Sequence, residues 1–276
     1  SKIDGVGGNF GCCVDISTDG TAIVAGAFYW DDSSGGNDQG CLRVYDLTNG
    51  NWVQRGNDTD MIGDYTSFWL GADCAMSANG NIVAGAYYEA GNAGGNVAVA
   101  GGVKVYDYTT GSWQQLGSNI TVDHADCVTV SLSHDGTVVA FGSGYDNING
   151  GGEEGAVYTA KYTNGEWTRT AKISGAQASI YMHICHLNAA GDVLAVGSYL
   201  DEITGTNNGV TRLYYWNELN QVWDPIGSPI EGENPWDHSG GAVALNYMGD
   251  VLVIGAHLAD LDNDNSVAPW SEGHVR

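Results

Sequence analysis

Val14-Asp15-Ile16-Ser17-Thr18-Asp19-Gly20-Thr21-Ala22-Ile23-Val24-Ala25-Gly26-Ala27 reads as a strand, a tight turn and a second strand, and the chain repeats this phrase four more times. The later copies are Met76-Ser77-Ala78-Asn79-Gly80 to Gly85-Ala86, Val130-Ser131-Leu132-Ser133-His134-Asp135-Gly136 to Gly142-Ser143, Leu187 to Gly197-Ser198, and Leu245 to Gly255-Ala256. Gly26, Gly85, Gly142, Gly197 and Gly255 are spaced by 59, 57, 55 and 58 residues. A period of this size with several short strands per unit specifies a propeller or another stacked-sheet array.

Working outward, each unit reads as four strands. The Asp19-Gly20, Asn79-Gly80 and Asp135-Gly136 dipeptides are expected to supply the positive φ values of the first hairpin. A polar, Gly-rich loop follows, then an alternating third strand such as Cys41-Leu42-Arg43-Val44-Tyr45 or Gly102-Val103-Lys104-Val105-Tyr106. A second turn leads to a fourth strand opened by Trp52, Trp113, Trp167 or Trp223, rings expected to be buried at equivalent positions. The prediction is an all-β propeller of four-stranded antiparallel blades in one domain, residues 1–276. Its repeats are 8–66, 67–124, 125–179, 180–237 and a partial 238–276. Ile3 falls in register with Ile120, Ile173 and Ile230, so a longer propeller is expected, of which four blades are complete here.

Composition agrees. Forty-two glycines against four prolines suit many tight turns. The longest apolar runs are strand-sized, so no membrane span is expected in this segment. Nine Lys and Arg against 33 Asp and Glu give a formal charge of −24, which argues against nucleic acid as a partner because phosphate binding needs clustered cations. Spread through loops, the acid favours solubility in a salty medium, with cation binding as the sharper alternative.

Six cysteines do not recur at one repeat position. Cys74 and Cys185 align where other repeats carry Val14 and Val243, as expected of free thiols in a core. Cys12, Cys13 and Cys41 share a blade, where a disulfide and free thiols are both open. Two sequons, Asn57-Asp58-Thr59 and Asn119-Ile120-Thr121, stand at matching places just beyond the fourth strand. They point to N-glycosylation at Asn57 and Asn119 and to secretion.

Catalytic constellations are harder to find. The sequence has no Gly-x-Ser-x-Gly elbow, no Walker-type phosphate loop and no Cys-x-x-Cys. His183-Ile184-Cys185-His186 on a strand would divide its ligands between two faces, so it is not expected to hold a metal. No pair of carboxylates stands out for acid–base work. What does recur is an aromatic or imidazole ring followed by acid, directly after each Gly-Ala or Gly-Ser strand end. These candidate binding residues are Phe28, Tyr29, Trp30, Asp31, Tyr87, Tyr88, Glu89, Tyr145, Asp146, Tyr199, Asp201 and His257. Equivalent propeller positions share one rim, and rings beside acceptors suit sugar or protein recognition. The alternative is that the rings cap blade edges.

Ser1-Lys2-Ile3-Asp4-Gly5, Asn9-Phe10-Gly11, Ser17-Thr18-Asp19-Gly20-Thr21, Gly26-Ala27, Trp113-Gln114-Gln115-Leu116-Gly117-Ser118 and Gly273-His274-Val275-Arg276 together resemble FG-GAP-type propeller repeats. They look most like the Gly-rich variety of algal and marine microbial surface proteins. In the integrin branch of that family, calcium binds an Asp-x-Asp-x-Asp-Gly loop. Here the corresponding turn is shortened to Ser-x-Asp-Gly, and only Asp260, Asp262 and Asp264 keep an alternation of oxygen ligands. No cofactor is expected unless calcium binds there. The resemblance implies a non-catalytic extracellular or cell-surface module whose partner is a protein or a glycan in adhesion or assembly. A secreted polysaccharide hydrolase or lyase is the alternative.

Overall fold

A computed structural model describes residues 2–3, 5, 7–31, 38–57, 61–65, 67–88, 101–123, 129–144, 146, 154–175, 180–203, 206–259 and 273–276. Among these the regular structure is entirely β. The first sheet is β1 (Val14–Ile16), β2 (Ala22–Ala27), β3 (Cys41–Thr48) and β4 (Asn51–Arg55), hydrogen-bonded in that order. The second is β5 (Cys74–Met76), β6 (Ile82–Tyr88), β7 (Gly101–Asp107) and β8 (Gln114–Gln115), with β9 (Ile120–Thr121) also pairing with β7. The third is β10 (Thr129–Leu132), β11 (Val138–Ser143), β12 (Ala156–Thr163) and β13 (Glu166–Ser174). The fourth is β14 (Ile184–Leu187), β15 (Val193–Ser198), β16 (Val210–Asn217) and β17 (Val222–Glu231). The fifth is β18 (Ser239–Leu245), β19 (Leu252–Ala256) and β20 (His274–Val275). These sequential meanders are the blades of a propeller fold.

The chain forms two compact units, residues 1–141 with 159–169, and residues 142–158 with 170–276. Within the first, β2 and β6 are buried along almost their whole length, as strands covered on both faces must be. Val24, Leu42, Val44, Phe68, Leu70 and Val83 form the centre of its core. Within the second, Leu194, Ala195 and Val196 of β15 are likewise enclosed.

The first hairpin of each repeat is built by side chains. Ser17 Oγ donates to Asp19 Oδ1 at 2.7 Å and accepts from the Ala22 amide at 2.9 Å, while the Thr21 amide donates to Asp19 at 3.0 Å. Ser133, Asp135, Thr137 and Val138 reproduce the pattern. Asn188 and Asp192, and Asn246 and Asp250, achieve the same closure with an amide in place of the hydroxyl. The bonds from Ser17 and Thr21 hold the Asp19 carboxyl below its ordinary range. Only the glycine of each dipeptide adopts positive φ here (Gly20 at 72°, Gly80 at 71°, Gly136 at 75°), so these are not the two-residue turns expected. That geometry belongs to the second hairpin, where Asn49 and Gly50, and Asn164 and Gly165, are both positive.

The tips of these hairpins are joined by main-chain bonds. Within the first unit the Thr18 amide donates to Ala78 O at 3.0 Å and the Ala78 amide to His134 O at 2.8 Å. Within the second the Ala189 amide donates to Tyr247 O at 3.2 Å. Side chains add a parallel set: Asp15 accepts from the Met76 amide at 2.7 Å, and His186 Nδ1 from the Leu245 amide at 3.2 Å.

The tryptophans depart from expectation. Trp113 alone of the four is buried; Trp52, Trp167 and Trp223 are half-buried. Trp113 precedes β8 rather than lying in it, packs on Tyr108 and donates its indole N–H to Arg55 O at 3.0 Å. Trp167 packs on Tyr162 and donates to Leu116 O at 2.8 Å. We expect Trp113→Ala to lower stability by about 3–5 kcal/mol. Trp167→Ala should cost less in urea unfolding, because that ring is half-buried. Equal losses for the two alanine variants would show that the two rings are equally well packed.

Candidate functional site

The rim is organised by a backbone feature absent from the sequence pattern. Trp69, Tyr181 and His238 occupy one repeat position and all lie in the left-handed region, at φ 48°, 49° and 53°. Such a backbone costs roughly 1–3 kcal/mol for a non-glycine residue and persists only when its surroundings impose it. The neighbouring segment does so. Trp69 and Leu70 amides donate to Asp38 O and Gln39 O at 3.2 and 3.1 Å; His238 and Ser239 donate to Asn207 O and Asn208 O at 3.3 and 3.0 Å. The Met182 amide reaches Glu154 O at 3.2 Å in the same way. Gly40, Gly155 and Gly209 make the approach feasible, because a Cβ on any of them would collide with the backbone of Leu70, Met182 or Ser239.

In the first unit this places Trp69 between two rim rings, with centroids 4.5 Å from Tyr88 and 6.2 Å from Tyr29. Phe28 tilts against Tyr29 at 4.1 Å, and Trp30 receives the Arg43 guanidinium over its face at 4.8 Å. Asp31 accepts from the Asp38 amide. In the second unit Tyr199 is the hub. His183, His238, His257 and Tyr181 surround its ring at centroid distances of 5.9, 5.7, 6.3 and 6.4 Å. Tyr29–Trp69–Tyr88 and Tyr199–His238–His257 each set two strand-end rings against a ring in left-handed backbone, but Tyr29 and Tyr88 stand three residues after Gly26 and Gly85, while Tyr199 and His257 stand two after Gly197 and Gly255.

Three of the expected rim residues point elsewhere. Tyr87 is buried and stacks on Phe68 at 4.3 Å, because adjacent residues of a strand face opposite ways and Tyr88 takes the rim. Asp146 is wholly buried, accepting from Tyr158 Oη and pairing with Lys172 Nζ at 3.0 Å. Asp201 is buried 2.6 Å from Arg212 Nη1. These are internal ion pairs, not acceptors offered to a ligand. Glu89, Tyr145, Asp260, Asp262 and Asp264 lie outside the described residues. Asn57 is exposed, while the Asn119 side chain accepts from Gln115 Nε2 at 2.8 Å. Among the described residues, no group of three or more His, Cys, Asp or Glu is arranged to hold a metal ion.

Among the described residues no two cysteines form a disulfide, and Cys41, Cys74 and Cys185 are buried in the core. Cys12, Cys13 and Cys74 gather in the first unit, where Cys12 and Cys13 also donate to Gly71 O at 3.1 and 3.5 Å. Hydrogen bonding to Cys13 and burial push the Cys12 thiol above its ordinary range, which favours the thiol over the thiolate there. Beside it, Asp73 accepts amides from Val130 and Cys74 at 2.8 and 2.9 Å.

No protein-family model matches the chain, and no curated protein matches it. Solved structures do resemble it. The hydrazine synthase of Kuenenia stuttgartiensis matches over 87% of this chain and 67% of its own, at 12% identity and a TM-score of 0.56. A protein assigned as a 6-phosphogluconolactonase from Bacteroides uniformis matches over 80% and 54%, at 15% identity and 0.51. The Dos1 propeller matches over 89% and 51%, at 12% identity and 0.50. The fold is a β-propeller. At such identities the likeness carries nothing further, and the chain spans about half to two thirds of the length of these proteins.

Burial pushes the Asp73 carboxyl from 3.8 up to about 6. A raised folded-state value means that its contribution is intact below 3.8 and is lost as pH climbs through about 6. Asp73→Asn should therefore gain stability relative to the unaltered protein between pH 4 and pH 8, in thermal melts at both. A constant difference would show that Asp73 folds with an ordinary pKa.

Proposed function

We propose that the chain is a non-catalytic binding module of FG-GAP type, acting outside the cell or at its surface, that recognises a glycan or protein through its rim rings. The supporting observation is a ring cluster in each unit, Tyr29–Trp69–Tyr88 and Tyr199–His238–His257, each including a ring held in left-handed backbone at the same repeat position. Rigid rings lose little freedom on binding, and stacking on a sugar face or peptide needs no catalytic group. Tyr29 and His257 are exposed and Tyr88 and Tyr199 half-buried, so the clusters offer edges and faces to a ligand. Polysaccharide cleavage is less well supported. It calls for two carboxylates over a common cleft, whereas Asp146 and Asp201 are each committed to a cation.

Binding through such platforms should be weak per cluster and strengthen by multivalency. Tyr29→Ala with Tyr88→Ala should weaken retention on a glycan array or an immobilised algal polysaccharide while the β circular dichroism spectrum is unchanged. Undiminished binding by the folded double variant would remove the rim from recognition. Hydrolysis of the same polysaccharide by the unaltered protein would favour the enzyme alternative.

The extracellular part of the proposal is tested separately. Protein from a eukaryotic secretory host should carry glycan at Asn57 and at Asn119. Peptide mass spectrometry finding both asparagines bare would count against secretion.

A further inference from the structure

The rim cluster of the second unit has chemistry that stacking does not use. His238 and His257 are in direct contact, with ring centroids 5.3 Å apart and planes inclined by 68°. Two imidazoles sharing one tetrahedral ion at metal–nitrogen distances of about 2.0–2.1 Å place their ring centres about 5 Å apart. The pair thus already has the spacing of a chelate. His238 Nε2 is buried and has no hydrogen-bond partner, a state that buried polar atoms rarely occupy without reason. The direction in which its side chain leaves the backbone is set by φ 53° and the bond to Asn207 O.

Access comes from His257. This exposed side chain lines a cavity of about 450 Å³ with Gly241, Ala242, Gly273 and His274. A Cβ on Gly241 would lie 2.9 Å from His257 Nδ1, so bare backbone makes room for the imidazole. Of the other ionisable groups nearby, His183 Nδ1 lies 2.7 Å from Tyr181 O and Asp237 accepts the Asn234 amide at 2.8 Å, while His274 lines the same cavity as His257. Burial, and then the neighbouring His257, hold the His238 pKa below its ordinary value, which keeps a lone pair available at neutral pH.

We propose that His238 and His257 form a two-imidazole clamp for a borderline transition-metal ion of the Zn²⁺, Ni²⁺ and Cu²⁺ class. The protein supplies two ligands, and the remaining positions are open to water or to an oxygen or nitrogen donor of a bound partner. Imidazole nitrogen selects these ions over Ca²⁺ and Mg²⁺, which take oxygen. The inference does not depend on glycan or protein recognition at the rim.

Calorimetric titration of the whole chain with NiCl₂, ZnCl₂ and CaCl₂ tests it. One equivalent of Ni²⁺ or Zn²⁺ should bind at pH 7.5 and be lost at pH 5, where protons compete for both rings. Ca²⁺ should not displace Ni²⁺ from this site. His238→Gln and His257→Gln should each weaken Ni²⁺ binding by about tenfold or more, while His183→Gln and His134→Gln leave it unchanged. His257 is exposed, so His257→Gln keeps the test decisive even if His238→Gln disturbs folding. Absence of saturable Ni²⁺ and Zn²⁺ binding at pH 7.5, displacement of bound Ni²⁺ by equimolar Ca²⁺, or undiminished Ni²⁺ binding by His257→Gln would overturn the proposal.

Discussion

The structure depends on a main-chain hydrogen bond between equivalent hairpin tips. Thr18 to Ala78, Ala78 to His134, and Ala189 to Tyr247 are the same bond repeated. A tip amide can reach its neighbour only if the hairpin is closed in one geometry. The buried Ser17, Ser77, Ser133 and Asn188 side chains impose that geometry by bonding their own turns. The bond also satisfies backbone groups that would otherwise be costly to enclose. With the tips so joined, the second strands β2, β6, β11 and β15 are buried along most of their length, and the rim residues stand at the strands' far ends.

At that far end the same economy appears with other atoms. Backbone amides on either side of Trp69 and His238 dock on a neighbouring segment, which fixes where the side chain at that position leaves the backbone. The result is an aromatic platform in one unit and an imidazole pair in the other. Tyr29 and Tyr88 give one; Tyr199 and His257 give the other.

The fold was legible because its signal is local and repeated. Ser17-Thr18-Asp19-Gly20-Thr21 encodes its own turn, and Ile23-Val24-Ala25-Gly26-Ala27 encodes a strand covered on both faces. The site was legible in part: Tyr29, Tyr88, Tyr199 and His257 follow directly from the strand end. Trp69, Tyr181 and His238 were missed because their shared property is a φ angle. A Trp, a Tyr and a His have no common letter, and only the following Leu70-Gly71 and Ser239-Gly240 echo Phe10-Gly11. Asp146 looked like a rim acid because its cation, Lys172, is 26 residues distant and its burial depends on long-range packing. Trp52 and Trp113 look equivalent in sequence, yet only the second is covered.

Because the tip-to-tip bonds use main-chain atoms alone, they place no demand on the side chains at those positions. Thr18, Ala78, His134, Ala189 and Tyr247 differ in size and polarity, yet the bonds between these tips have the same form. Duplicated blades could therefore drift apart at these sites without loosening their attachment. Such positions are natural places for a family of propellers to diversify, or for an engineer to write in new side chains, while the architecture is inherited intact.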